Sequence, residues 1–214
     1  DKTAAKTWEV LTSDVPVSGI RARVRSGRDQ MRGVLLASLP SNLCGMRVLD
    51  AGCGTGQVSI ELAKRGAQVL GLDISTSLIN VAKDRTPRSL EKKICFEAGD
   101  MLEDQHGRFD YVVAMDSLIH YGSRDIAIAL CRLAKNTNDS ISFTIAPRTV
   151  VLSSLLMIGK LLPRSDRSPR IAPLSCQALN KQLKRETIFE EKEAKVLKRI
   201  TASFYVSEAL IIKL

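Results

Sequence analysis

The stretch VLDAGCGTGQVSIELAKRGAQVLGLDIS, residues 48–75, decides the fold. An apolar run ends in Asp50, a turn carrying Gly52, Gly54 and Gly56 follows, and a helical pattern begins at Gln57. That pattern stops with Lys64 and Arg65 in the last turn and Gly66 just past it, a basic end followed by a glycine stop. A second apolar run then ends in Asp73, roughly twenty residues beyond the turn. Strand, glycine turn, helix and strand make the βαβ unit of a parallel sheet. Glycines let the backbone turn sharply and approach a ligand without a Cβ in the way. A carboxylate at the end of the second strand can accept both ribose hydroxyls of an adenosine.

The same alternation continues on both sides. Strands are expected at 47–52, 68–74, 93–100, 109–117 and 140–147, with helices at 57–66, 75–86 and 123–136 between them. Ser75 or Thr76 can cap the second of these helices. Residues 1–38 hold no obvious strand and read as two helices, about 2–12 and 17–38, split at Pro16. After the fifth strand, 150–163 is an apolar helix-like run, followed by a basic Ser/Pro loop and a polar helix at 175–186. Two β-rich runs, 192–201 and 204–214, look like a closing antiparallel pair. The expected fold is α/β, a mostly parallel seven-stranded sheet with helices on both faces. Its divisions are an N-terminal helical arm at 1–38, a Rossmann-like core at 39–149, a helical cap or insert at 150–190 and closing strands at 191–214.

Composition narrows the class. A chain of 214 residues buries one good core, and 44% hydrophobic with 26% charged residues is ordinary for a globular protein. No run approaches a transmembrane helix and no signal peptide is visible, while a first residue of Asp1 suggests a trimmed N-terminus. The five cysteines lack CxxC pairing and are odd in number, so reduced, mostly packed thiols in a cytoplasmic protein are expected, with no metal cluster. The net charge of +9 calls for an anionic partner: nucleic acid, an acidic membrane surface, or a carboxylate or phosphate substrate. An aromatic content of 4% argues against a reader of single-stranded nucleic acid, which needs stacking platforms.

The ligand of the turn follows from charge. A dinucleotide fold offers amides to a pyrophosphate, and an acid placed before the first glycine, as Asp50 is, would repel one. It suits the cationic amino-acid end of S-adenosylmethionine instead. Here the chain resembles the class I S-adenosylmethionine-dependent methyltransferases, whose first motif is D/E-x-G-x-G-x-G. The resemblance implies contact with the cofactor at Asp50, Gly52, Cys53, Gly54 and Gly56, with Asp73 and Ile74 at the ribose. It implies Asp100 and Met101 at the adenine edge, and Met115 with Asp116 toward the methionine part or the substrate.

Four more segments narrow the resemblance: MDSLIHY (115–121), FTIAPRT (143–149), IGKLLPRSDRSP (158–169) and ITASFYVSEAL (200–210). Together with the leading WEVLTSDVPVSGIRARVRSGRDQM they are similar to the magnesium-protoporphyrin IX O-methyltransferases of chlorophyll and bacteriochlorophyll synthesis. That family methylates one propionate of the magnesium porphyrin, leaving a monomethyl ester and S-adenosylhomocysteine. The metal belongs to the substrate, and no metal site of the protein's own is implied. The resemblance makes His120 the catalytic candidate, to orient the propionate, to take its proton if an apolar slot raises its pKa, or to ligate the magnesium axially. Because a carboxylate is already ionised near an unperturbed pKa of ~4, it needs no strong base, and orientation is favoured. His106 reads as a surface-loop residue.

Substrate contacts are expected at Trp8, Arg25, Tyr121, Met157 and Arg164. A flat porphyrin with two propionates wants an apolar slot with cations at its rim. The helix around Leu155, Leu156, Met157 and Ile158, with Arg164, Arg167 and Arg170 beyond it, suits that need, and a core-packing helix beside a solvated loop is the other reading. Arg21, Arg25, Arg28 and Arg32 share one helix face; such a stripe is a solvated face, or sets one arginine (Arg25 is the choice) on a carboxylate. Some family members carry a tyrosine where this chain has Thr12. The resemblance also suggests the porphyrin-carrying subunit of magnesium chelatase as a partner and peripheral attachment to the photosynthetic membrane. The competing readings are a methyltransferase for a quinone-like acceptor and a non-enzymatic porphyrin carrier. A nucleic-acid amine methyltransferase is disfavoured, since MDSL replaces the Asn/Asp-Pro-Pro-aromatic motif such enzymes need.

Overall fold

The computed structural model describes residues 19–148, 171–202 and 205–214. The expected helix at 2–12, the apolar run 150–163 and the basic loop after it lie outside the described residues. Helix α1 (Gly19–Ala37) leads into β1 (Arg47–Ala51), α2 (Gln57–Lys64), β2 (Gln68–Asp73) and α3 (Thr76–Arg85). Then come β3 (Ile94–Ala98), β4 (Phe109–Ala114), α4 (Ser123–Lys135) and β5 (Thr137–Ile145), and last α5 (Cys176–Leu183), β6 (Lys195–Ala202) and β7 (Tyr205–Lys213). They form one seven-stranded sheet in the order β3-β2-β1-β4-β5-β7-β6. The first five strands are parallel, and β7 joins β5 and β6 antiparallel, as the closing pair predicted.

Period-two alternation puts a core on each face of this sheet. Tyr111, Val113 and Met115 pack with Met31 and Leu35 of α1, Leu62 of α2 and Ile79 of α3 on one side. Val112 and Ala114 turn the other way, toward Ile126 and Leu130 of α4, Leu179 and Leu183 of α5, and Phe143. Helix α1 lies across β6 and β7, the antiparallel end of the sheet. Ser75 caps α3, its Oγ accepting from the Leu78 amide at 3.4 Å.

Two expectations need correcting. The fourth strand ends at Ala114 rather than 117, because Asp116 takes a left-handed conformation (φ +56°) that leaves the extended backbone of a strand. The thiols are as expected: all five are free, Cys53 is buried, Cys131 and Cys176 pack half-buried against the core, and Cys44 and Cys95 are exposed. Cys95 sits on the outer face of the edge strand β3, where its Sγ donates to Glu97 Oε1. His106 is half-buried at the end of a 3-10 turn (Asp104–His106) rather than on a surface loop.

Candidate active site

The strand order reverses between β1 and β4, and a cavity of about 540 Å³ opens there beyond the carboxyl ends of β1, β2 and β4. Open α/β sheets place their ligands at this switch point. One wall is the turn after β1, held by hydrogen bonds to β2 and within the turn itself. The amides of Gly52 and Cys53 donate to the Leu72 carbonyl at 2.8 and 2.9 Å, Gly56 N donates to the Cys53 carbonyl, and Gly54 N donates to Asp73 Oδ2 at 2.9 Å. A phosphate-binding turn aims such amides at the ligand. Here these four amides are used on β2 and within the turn, so this wall offers close approach rather than an anion nest. At Gly52 (φ +78°) a Cβ would stand 2.3 Å from the Ser117 Cβ, whereas at Gly54 it would meet nothing within 4 Å.

Asp73 accepts backbone amides on both oxygens, from Gly54 and, on Oδ1, from Ser75 at 2.9 Å. Its carboxylate is therefore held at the cavity wall in one orientation. Ile74 beside it is 85% exposed, far more than an isoleucine normally is, and lines the cavity mouth. Asp50 is fully buried and its Oδ2 accepts from Ser59 Oγ at 2.6 Å. Burial pushes its carboxyl up to about 7, a shift the Ser59 hydrogen bonds oppose and the Asp73 charge reinforces. Burial, with the same two acids nearby, raises the Cys53 thiol far above its usual range, so it stays protonated. Its role is that of a small packed wall.

The opposite wall is the loop after β4. Leu118 is fully buried and anchors it, the Tyr121 amide donates to the Leu118 carbonyl, and Ala172 N donates to the Ile119 carbonyl at 2.9 Å. So held, the loop presents Met115, His120 and Tyr121 to the cavity, with Tyr121 45% exposed. Asp100 and Met101 after β3 complete the far end.

The structure therefore brings together Asp50, Gly52, Cys53, Gly54, Asp73, Ile74, Asp100, Met101, Met115, His120 and Tyr121. Gly56 stands behind the turn, where a Cβ would meet the Phe96 ring at 2.6 Å, and serves packing rather than lining. Of the arginine stripe, Arg28 and Arg32 line the cavity; Arg25 is half-buried one turn away and is not among the lining side chains. Trp8, Met157 and Arg164 lie outside the described residues. Sequence reasoning missed Arg28, Arg32, Gln57 and Ser117 as lining groups. The i, i+4, i+7 spacing pointed to the right helix face, but not to which turn faces the sheet end.

Comparison with known proteins agrees with this geometry. A family model described as Magnesium-protoporphyrin IX methyltransferase C-terminus matches residues 114–213, and one described as Methyltransferase domain matches 48–139. The Magnesium-protoporphyrin O-methyltransferase of Rhodobacter capsulatus is 47% identical over 211 residues, covering 98% of this chain and 91% of that protein. The Synechocystis enzyme of the same name is 31% identical over 79% of this chain and 75% of its own. A crystal structure of the Synechocystis magnesium protoporphyrin IX methyltransferase with bound S-adenosylhomocysteine superimposes with a TM-score of 0.79 at 28% identity, covering 99% of this chain and 94% of that one. Shared sequence along nearly the whole length, on the same sheet, leaves one conclusion: this chain belongs to the magnesium-protoporphyrin O-methyltransferases, within the class I S-adenosylmethionine-dependent fold.

Proposed function

We propose that the chain transfers a methyl group from S-adenosylmethionine to a propionate carboxylate of magnesium protoporphyrin IX, giving the monomethyl ester in chlorophyll or bacteriochlorophyll synthesis. The observation that carries this is the continuity of one cavity, from Asp73, Ile74 and Asp100 at one end to Met115, His120 and Tyr121 at the other. The residues present fit the cofactor. Asp73 and Ile74 would hold the ribose and adenine end, Gly54 leaves space for close approach, and Asp50 faces the cationic amino-acid end.

When bound, S-adenosylmethionine supplies an electrophilic sulfonium methyl, which passes to a carboxylate oxygen as the carbon–sulfur bond breaks and its electron pair returns to sulfur. No proton has to move, because the acceptor is already an anion. The protein's work is positioning and exclusion of water. His120 orients the carboxylate at the loop after β4, Met115 and Tyr121 close the apolar side, and magnesium remains with the porphyrin as substrate. In this reading residues 1–38 serve as an arm, while α5 packs into the core against α4 and takes no part in a cap. Delivery by the porphyrin-carrying subunit of magnesium chelatase and attachment to a membrane surface belong to the same proposal, supported by the +9 net charge. Among the described residues no helix is long and apolar enough to cross a membrane.

The test is a single assay: purified chain, S-adenosylmethionine and magnesium protoporphyrin IX, read by mass spectrometry for one added methyl. A quinone precursor serves as the comparison acceptor. Binding of the porphyrin without turnover would make the chain a carrier, and methylation of the quinone precursor alone would move it to another acceptor class.

A further inference from the structure

Asp116 is the most heavily engaged side chain at the cavity, and nothing in the methyl transfer described above uses it. It takes the left-handed conformation (φ +56°), uncommon for a residue with a Cβ. Its amide donates to Thr144 Oγ1 at 2.7 Å. Its carboxylate accepts from Thr144 Oγ1 at 3.2 Å, from Tyr205 Oη at 3.1 and 3.2 Å, and from Ser207 Oγ at 3.5 Å. On its open side Oδ2 lies 3.5 Å from Arg28 Nε. The pair is enclosed, with side-chain exposures of 4% for Asp116 and 15% for Arg28.

A second observation concerns how α1 reaches this place. A Cβ on Gly27 would stand 2.7 Å from the Tyr205 ring and 2.9 Å from the Ala202 Cβ. The glycine lets the helix lie directly on β6 and β7, and the next residue, Arg28, is thereby carried to the cavity wall. Tyr205 thus fixes Arg28 twice, through its ring under Gly27 and through its hydroxyl on Asp116. The other lining arginine is engaged at the cavity wall itself: Arg32 Nη1 donates to Gln57 Oε1 and Nη2 pairs with Asp29 Oδ1 at 2.9 Å.

We propose that Arg28 is the group that receives a ligand carboxylate in this cavity, with Asp116 and Tyr205 as the positioning residues that hold it. The proposal rests on reading the cavity as a methyl-transfer site. Arginine's planar fork matches a carboxylate bidentately, and a guanidinium held from behind loses little freedom when it binds. Both ligands of the reaction carry such a group: the cofactor in its amino-acid end, the porphyrin in its propionates. Pairing with Asp116 also moderates the cation, so a propionate is guided without its nucleophilic oxygen being gripped.

The experiment compares wild type, Arg28→Ala and Tyr205→Phe. Calorimetry measures the Kd of S-adenosylhomocysteine and of 5′-methylthioadenosine, which lacks the carboxylate, and steady-state assays give KM for magnesium protoporphyrin IX. Arg28→Ala is expected to weaken one carboxylate ligand by roughly tenfold or more, the weight of a charge-assisted hydrogen bond. Weakened S-adenosylhomocysteine with unchanged methylthioadenosine assigns Arg28 to the cofactor carboxylate; a raised porphyrin KM with unchanged S-adenosylhomocysteine assigns it to the propionate. Methylguanidine added to Arg28→Ala should restore the affected step in part. Tyr205→Phe keeps the ring under Gly27, so it should move the same constant by about threefold with its melting temperature held. Wild-type nucleoside affinities together with a wild-type porphyrin KM in Arg28→Ala, or equal losses for both nucleosides, would overturn the assignment of Arg28. A Tyr205→Phe variant with wild-type constants would overturn the positioning role. Absence of wild-type turnover would sink the functional reading instead, and the two-nucleoside comparison, with the porphyrin Kd measured in place of KM, would still decide Arg28.

Discussion

The amide of Gly54 donates to Asp73 Oδ2 over 2.9 Å, so the turn after β1 and the end of β2 are locked to each other through a side chain. Ser75 N holds the second oxygen at the same distance. In the proposed reading, ligand recognition and local folding share one carboxylate.

Asp73→Asn tests that sharing. The amide group must turn its NH₂ toward one of the two backbone donors, leaving donor facing donor. A stability loss of about 1–3 kcal/mol is expected from the broken hydrogen bond. The affinity for S-adenosylhomocysteine should fall at least tenfold by calorimetry. Unchanged affinity would remove Asp73 from the cofactor site.

Gly52 and Gly54 should separate in the same pair of measurements. Gly52→Ala places a Cβ against the Ser117 Cβ at φ +78°, and combined strain and clash should cost roughly 2–4 kcal/mol, a melting-temperature drop of roughly 5–15 °C. Gly54→Ala has the unfavourable φ but no clash, so its stability cost is about 1 kcal/mol. Its Cβ enters the space left for the ligand, so cofactor affinity should suffer more than stability. Equal melting temperatures for the two variants would contradict the packing of Gly52 on Ser117.

Asp50 gives a pH dependence. Its folded-state pKa of about 7 lies above the ordinary value of 3.8, so the folded state holds the proton more tightly than the unfolded one. The associated stability is complete below pH ~4, is lost as pH rises toward about 7, and stays lost above that. Asp50→Asn removes this slope and should exceed wild type by roughly 2–4 kcal/mol at pH 8 relative to pH 4. Binding should show the opposite sign: wild-type affinity for S-adenosylhomocysteine rises as Asp50 ionises to meet the ammonium, and the variant's stays flat. Parallel stability profiles in denaturant melts from pH 4 to 8 would refute the burial effect.

His120→Ala should lower kcat by about ten- to a hundredfold while leaving S-adenosylhomocysteine affinity intact, since an orienting group acts on the acceptor alone. Because no general base is needed, the pH profile of the residual activity should keep its wild-type shape. Full turnover in the variant would leave His120 as a structural residue of the loop after β4.

The placing of the glycine turn, Asp50 and Asp73 at one cavity was legible because it is local. Asp50, the glycine turn and Asp73 belong to one strand–turn–helix–strand unit, and short-range rules place their backbones without knowledge of the remainder. The same holds for the Ser75 cap and for the stop after Lys64. Strand ends were less legible. The apolar run at 109–115 gives no sign that Asp116 turns left-handed, because that conformation is held by Thr144 and Tyr205 from other strands.

By itself the sequence determined the parallel core, the cofactor turn, the closing antiparallel pair and, through its resemblance, the chemistry of the acceptor. Only the tertiary structure decided that Arg28, and not Arg25, lines the cavity, and that Tyr205 stands behind it through Asp116. The physical reason is distance along the chain. Residues of α1, the β4 end and β7 meet only once β7 inserts between β5 and β6 and Gly27 allows α1 to settle on it. Periodicity chooses a helix face, and packing chooses the turn that touches the ligand.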